Sequence, residues 1–249
     1  MPGIDLVSAA VILAALALGG TIKGATGAGS PVVAVPVIAA FFDVRIAVII
    51  MATPNFLTNI WQLWRFWPHR LQDGFDVRFA VSGAAGAIIG TIFLATLPNR
   101  VLILGVALAV SAYVILRIAR PAFRISASRA WRLSLPAGVA AGTLQGAAGI
   151  SAPVSVSFLN AMRLERPVFI ATISAFFIAM SLVQLPTLAV MGLLTPGLFA
   201  LSLLAVLPIL SFMPLGAWLA NKLSAEGFDR LVLVMLTVLA VRLLYVALT

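Results

Sequence analysis

The chain alternates long apolar stretches with short polar ones. Apolar runs lie at about 6–22, 31–42, 45–64, 77–97, 101–119, 133–146, 152–162, 167–191, 196–220 and 228–248. A run of about twenty residues can cross the roughly 30 Å hydrocarbon core of a bilayer as a helix, whereas ten to fourteen cannot. The short runs 31–42, 133–146 and 152–162 adjoin two glycine-rich interruptions, Gly19 to Pro31 and Gly142 to Pro153. The pattern predicts an all-α fold with broken half-helices at two places.

The two interruptions are copies of one another. Gly20, Thr21, Gly24, Ala25, Gly27, Pro31 and Val32 recur without a gap, 122 residues later, as Gly142, Thr143, Gly146, Ala147, Gly149, Pro153 and Val154. Seven matches in thirteen positions exceed what an alanine- and glycine-rich composition gives by accident. The chain reads as two copies of one unit.

Each interruption is either a kink in one crossing helix or the tip of a hairpin that returns to its own side. Basic residues arbitrate, because loops on the cytoplasmic face carry an excess of Lys and Arg. Two kinks divide the loop cations nine to six; two hairpins divide them twelve to three, leaving Lys23 alone inside the membrane. Hairpins are therefore predicted. The first repeat spans 1–120, with a hairpin at 6–42 and helices at 45–64, 77–97 and 101–119. A basic cytoplasmic linker follows at 121–132. The second repeat spans 133–249, with a hairpin at 133–162 and helices at 167–191, 196–220 and 228–248. Three crossings per half invert the second repeat, place both termini outside and let the hairpin tips approach from opposite sides at the midplane, as in inverted-repeat transporters. One length strains this scheme: from Leu6 to Lys23 a helix rises roughly 26 Å, more than half the core.

Composition agrees with a lipid environment. The 249 residues are 63% hydrophobic and 9% charged, with a mean hydropathy of +1.17, far from the quarter of charged residues that a soluble surface carries. The net charge of +9 would suggest a nucleic-acid partner in a soluble protein. Here the arginines cluster between apolar runs, so the expected partners are the bilayer and a small anion, with no nucleic acid. Without cysteine there is no disulfide framework or thiolate metal site, and no cofactor is expected. The N-terminus lacks the basic region of a signal peptide, so the first apolar run is expected to stay. A multi-pass integral membrane protein is the reading.

Inside the interruptions the candidate chemistry is electropositive. Glycines let the backbone leave the helix, and Ser30-Pro31 and Ser151-Ala152-Pro153 read as caps from which the short helices start. Their free N–H groups, each end worth roughly half a positive charge, would point inward with Lys23 and suit a mono- or dianion. An ammonium at the bilayer centre costs roughly 2.5–3.5 kcal/mol on insertion scales, so a functional role is the default, against a structural one at the hairpin tip. The matching position is neutral Gln145. Asn55, Asn59 and Gln62 share a helix face, as do Ser174, Ser181 and Gln184; Ser181 and Gln184 stand 122 residues after Asn59 and Gln62. The expected substrate-binding set is Lys23, Gly24, Thr26, Gly27, Ser30, Asn55, Asn59, Thr143, Gln145, Gly146, Gly149, Ser151, Ser174, Ser181 and Gln184, with no catalytic residue and no metal ligand. All seven acids fall in or beside loops, so a buried carboxylate relay for protons or sodium is not expected. An anion leaving an inside-negative cell needs none.

The segments GGTIKGATGAGSPVVAVPVIAAFF and AGTLQGAAGISAPVSVSFLNAM, each opening one half, resemble those of the sulfite exporter TauE/SafE family of bacterial membrane permeases. The resemblance covers essentially the whole chain and implies export of sulfite, sulfoacetate or a related organosulfur anion. The chain departs from the family's consecutive glycines at Gly29-Ser30 and Ile150-Ser151. The competing readings are a transporter or channel for another small anion, a non-transporting membrane subunit, and an intramembrane hydrolase using Ser30 and Lys23.

Overall fold

A computed structural model describes residues 6–71, 73–119 and 124–222, with scattered positions between 234 and 245. Among these every regular element is helical: α1 (Leu6–Thr26), α2 (Ser30–Ala39), α3 (Val44–Phe66), α4 (Phe75–Thr96), α5 (Asn99–Ala119), α6 (Ala127–Ala148), α7 (Ser155–Ala161), α8 (Arg166–Val190), α9 (Pro196–Leu204) and α10 (Val206–Lys222). The helix expected at 228–248 falls almost wholly outside the described residues. Six described segments are long and apolar enough to cross a membrane: Ala9–Thr26, Val44–His69, Phe75–Thr96, Asn99–Leu116, Arg166–Val190 and Pro196–Leu219. Their outer faces expose Val81, Ile89, Leu108, Ile115 and Leu203. Trp61, Trp64 and Trp67 project at the end of α3, where the Arg70 guanidinium stacks 4.2 Å over Trp67. Such a surface suits lipid, with aromatic rings at its border.

Both interruptions turn the chain back. Gly27 and Gly29 adopt left-handed φ of 81° and 104°, conformations that glycine reaches without the Cβ clash of other residues. Ser30 then lies so close to α1 that a Cβ on Gly19 would be 3.0 Å from its carbonyl oxygen. On a continuous helix these residues would stand about 16 Å apart. In the second copy Gly149, φ 68°, closes α6 by donating its N–H to the Gln145 carbonyl. The chain returns until Ala161, whose carbonyl accepts from the Ile125 N–H just before α6. A kink would have carried the chain away from that end.

Three boundaries differ from the sequence-based expectation. α6 starts at Ala127, not 133, so Arg129 and Arg132 ride its first turns instead of an extended linker. The span expected at 196–220 is divided at Ala205, because Pro208 has no N–H for the Leu204 carbonyl four residues back. The caps also shift. Gly29, not Ser30, is the N-cap of α2, with no side-chain cap bond. In the second hairpin the Ser151 carbonyl receives the N–H groups of Val154 and Ser155, and the regular helix begins only at Ser155.

The two halves pack by exchanging equivalent contacts. Gly20 and Gly24 of α1 press against the backbone of Ile209 and Met213 in α10, while Gly142 and Gly146 of α6 press against Gly83, Ala87 and Gly90 in α4. Gly216 meets the Thr21 carbonyl as Gly90 meets that of Thr143. α3 and α8 run antiparallel: the start of α3 shares an apolar cluster with Leu188, and its end, Phe66, shares another with Phe169 and Ile173. Each tip lodges in the cluster at the far end from its own root. Ala28 joins Ile170 and Ile173, whereas Ala148, Ile150 and Ala152 join Val48 and Ile49. Gly27 seats on Ile170 and Gly149 on Val48, positions again 122 residues apart. The tips therefore pass one another and do not stop level at the midplane. The cause is the length already noted, since the 21 residues of α1 rise about 31 Å.

Candidate functional site

α3 bends where Pro54 leaves the Ile50 carbonyl without its helical partner. Ser202 of α9 fills the gap, donating its hydroxyl to the Ile50 carbonyl at 3.1 Å and accepting the Thr53 N–H at 3.1 Å. Just beyond this bend the polar stripe of α3 begins. The Asn59 carboxamide donates to the Asn55 backbone carbonyl at 2.6 Å and to Asn55 Oδ1 at 3.0 Å. Its own Oδ1 is thereby turned to accept from Lys23 Nζ at 3.0 Å.

Lys23 is only 1% exposed. Besides Asn59, its ammonium faces the Phe177 ring, 5.8 Å from the centroid. Among the described residues no carboxylate pairs with Lys23; an ion pair, Arg45–Asp43, lies well away at the start of α3. The described acids stand at helix starts: Asp43 caps α3, Asp73 accepts from the Phe75 N–H, Asp76 from the Val77 N–H, and Glu165 precedes α8. Phe177 shares its face of α8 with Ser174, Ser181 and Gln184, which are spaced three, four and seven residues away. All three are buried. Lys23 thus meets the polar stripe of α3 at Asn59 and the corresponding face of α8 at Phe177.

Several of these side chains have spare bonding capacity. The Ser30 hydroxyl, Gln62 Oε1, Gln145 Oε1, the Ser174 hydroxyl and Gln184 Nε2 are buried without a hydrogen-bond partner, as are the hydroxyls of Thr53 and Thr172. Buried polar groups are nearly always satisfied, so a concentration of orphans marks a place that receives water or ligand. Together with Lys23 they put one cation and several spare donors and acceptors into an otherwise apolar interior. That combination can hold an oxyanion by charge and by O–H and N–H donation.

The remaining expected residues are placed elsewhere. Gly24 and Gly146 sit at helix crossings, and the Thr143 hydroxyl is spent on the Val139 carbonyl at 2.9 Å. Gly27 and Gly149 form the turns. Ser151 pairs with the Ser155 hydroxyl at 3.0 Å. Thr26 returns its hydroxyl to the Ile22 carbonyl at 2.8 Å and lines a cavity of about 320 Å³ together with Gly29, Val32, Tyr113, Ala152, Asn160 and Arg166. Both hairpins contribute to this cavity, through the chain just after each glycine turn. Phe177 and Arg166 were not among the expected residues. Phe177 was findable, being 122 residues after Asn55 and on the Ser181–Gln184 face; Arg166 read only as a loop cation.

A family model described as sulfite exporter TauE/SafE matches residues 11–243. No curated protein and no solved structure matches the chain.

Proposed function

The chain belongs to the sulfite exporter TauE/SafE family, a family of membrane transporters, and on that premise we propose that it exports a small organosulfur anion such as sulfite, sulfoacetate or a similar sulfonate. The observation that carries this reading is Lys23, a buried cation with no acidic partner that donates to Asn59 of α3 and faces Phe177 of α8, in an interior where α2, α3, α6 and α8 carry buried polar groups without partners. A sulfonate supplies the missing negative charge and three acceptor oxygens at once. Asn59, Asn55, Gln62, Ser30, Ser174, Ser181 and Gln184 complete the binding set, with Gln145 as the neutral counterpart of Lys23.

The repeats are inverted in the bilayer, with the 121–132 region on the cytoplasmic side of a bacterial inner membrane and both termini outside. Exit of the anion is driven by the membrane potential, which favours it by about 2.3 kcal/mol per charge per 100 mV. A carrier is favoured over a channel because the cavity beside Thr26 stops short of Lys23, which is sealed on all sides. The same sealing weighs against a hydrolase, since Ser30 and Lys23 have no open route for a peptide.

A thermal-shift panel of sulfite, sulfate, sulfoacetate, taurine and small carboxylates tests both site and substrate class. Sulfite or a sulfonate should raise the melting temperature of the wild type and leave that of a folded Lys23→Ala variant unmoved. Equal stabilisation of the two proteins removes Lys23 from the site. In proteoliposomes, flux that ignores an imposed potential removes the proposed driving force.

A further inference from the structure

Between the cavity and Lys23 stands the last turn of α1, carrying Ile22, Ala25 and Thr26 on its cavity side. Lys23 points away from the cavity, outside its lining, against Asn59 and Phe177. An anion that enters the cavity reaches the lysine only if this turn moves. Among the described residues, two side-chain hydrogen bonds tie residues 22–29 to other elements. One is Lys23 to Asn59. The other is Arg166, whose Nη2 donates to the Ala25 carbonyl at 3.1 Å across 141 residues of sequence. Apart from these the turn is held by apolar seating, chiefly Gly27 on Ile170, one helical turn beyond Arg166 on α8.

Both ties are made by cations, and both donate to a neutral oxygen where an anionic one would serve better, since charge-assisted hydrogen bonds are roughly twice as strong as neutral ones. Arg166 is exposed and lines the cavity itself. Its guanidinium has five N–H donors, of which a single contact, to Ala25, is formed. A carbonyl at the end of a helix has no intrahelical partner, so the Ala25 oxygen depends on a donor from outside, which Arg166 supplies.

We propose that Arg166 is an anion-responsive latch: a sulfonate or sulfite arriving in the cavity takes the guanidinium from the Ala25 carbonyl, and the freed turn of α1 opens the way to Lys23. This rests on the transport reading and adds an entry site and a gate to it. The hand-over is directional, because the second tie is broken by the same ligand once it meets the lysine. The cavity thereby admits a small oxyanion and stays shut to neutral solutes, which have nothing to offer either cation.

The absence of cysteine makes the gate readable. Thr172→Cys places a thiol of similar size at a fully buried position of α8, two residues from the seat of Gly27 on Ile170 and outside the proposed binding set, and its rate of modification by a maleimide in proteoliposomes reports opening. Sulfoacetate is the probe anion, as sulfite itself attacks thiol reagents. In the Thr172→Cys parent, sulfoacetate should speed modification. Adding Arg166→Ala should raise the anion-free rate about tenfold or more, the weight of one hydrogen bond to a charged group, and abolish the response to sulfoacetate. Arg166→Gln keeps a donor for Ala25 without the charge, so modification should stay slow and unresponsive. If both variants behave as the parent while the cysteine-free protein still carries sulfoacetate, the latch is wrong and transport stands. If the cysteine-free protein carries no sulfoacetate, taurine or sulfite, the transport reading fails and the latch with it.

Discussion

The Lys23–Asn59 contact sets the electrostatics of the interior, because a carboxamide oxygen orients the ammonium without neutralising it. Replacing that oxygen by a charged one removes the need for a substrate anion. Asn59→Asp, which hardly changes the side chain's size, should therefore weaken sulfonate binding at least tenfold, as an internal carboxylate competes for the same donor. Calorimetric titration reads this directly, and undiminished affinity would show that the lysine charge is not what the ligand meets. Ser202 offers a separate test of buried bonding. Ser202→Ala strands the Ile50 carbonyl and the Thr53 N–H at the Pro54 bend, at a cost of about 1–3 kcal/mol per unsatisfied group. A clear fall in melting temperature is expected; an unchanged one would mean that water replaces the hydroxyl. Lys23 and the polar stripes were legible in the sequence because charge and amide groups are conspicuous in apolar runs. The cap at Gly29 was not, since Ser-Pro matches the usual signature while the glycine turn before it had already used the capping position.

At the scale of elements, the glycine face is what lets helices cross backbone to backbone. A Cβ on Gly142 would strike the Gly83 carbonyl at the α4–α6 crossing, whereas one on Gly105 in α5 meets nothing within 4 Å. Gly142→Ala should thus destabilise by about 1–3 kcal/mol through overpacking. Gly105→Ala should be neutral or stabilising by up to about 1 kcal/mol, from helix propensity. Parallel melting curves distinguish the pair, and equal effects would place the α4–α6 contact differently. The long spans and both returns of the chain followed from run length and from the distribution of arginines. The early start of α6 did not, because Arg129, Trp131 and Arg132 look like loop until Arg78 is seen reaching the Ser134 hydroxyl at 3.0 Å and stacking 5.1 Å from Trp131. Such support comes from another element and leaves no local trace.

For the molecule as a whole, repeated contacts at matched positions say that each half is built to receive the other. The 122-residue spacing was visible in the glycines, but the passing of the tips was not, since sequence gives the length of an arm and not the depth at which its partner lies. The proposed inversion of the repeats has a topological consequence that fusions can read. A reporter active only in the cytoplasm, inserted at residue 125, should be active, and the same reporter at the N-terminus should be silent. The opposite pair of results would turn the protein over and overturn the proposed placement of the termini and of residues 121–132.

The lodging of the first tip against α8 also bears on how the protein is made. Ala25 and its clamp Arg166 are separated by 141 residues, and a ribosome adding 5–20 residues per second needs about 7 to 28 s to synthesise that interval. During this time the first hairpin is in the membrane before its cover exists, with an ammonium and a bare glycine turn facing lipid or the insertion machinery. Biogenesis must shelter that hairpin until α8 emerges, and truncations ending before Arg166 should be cleared by membrane proteases.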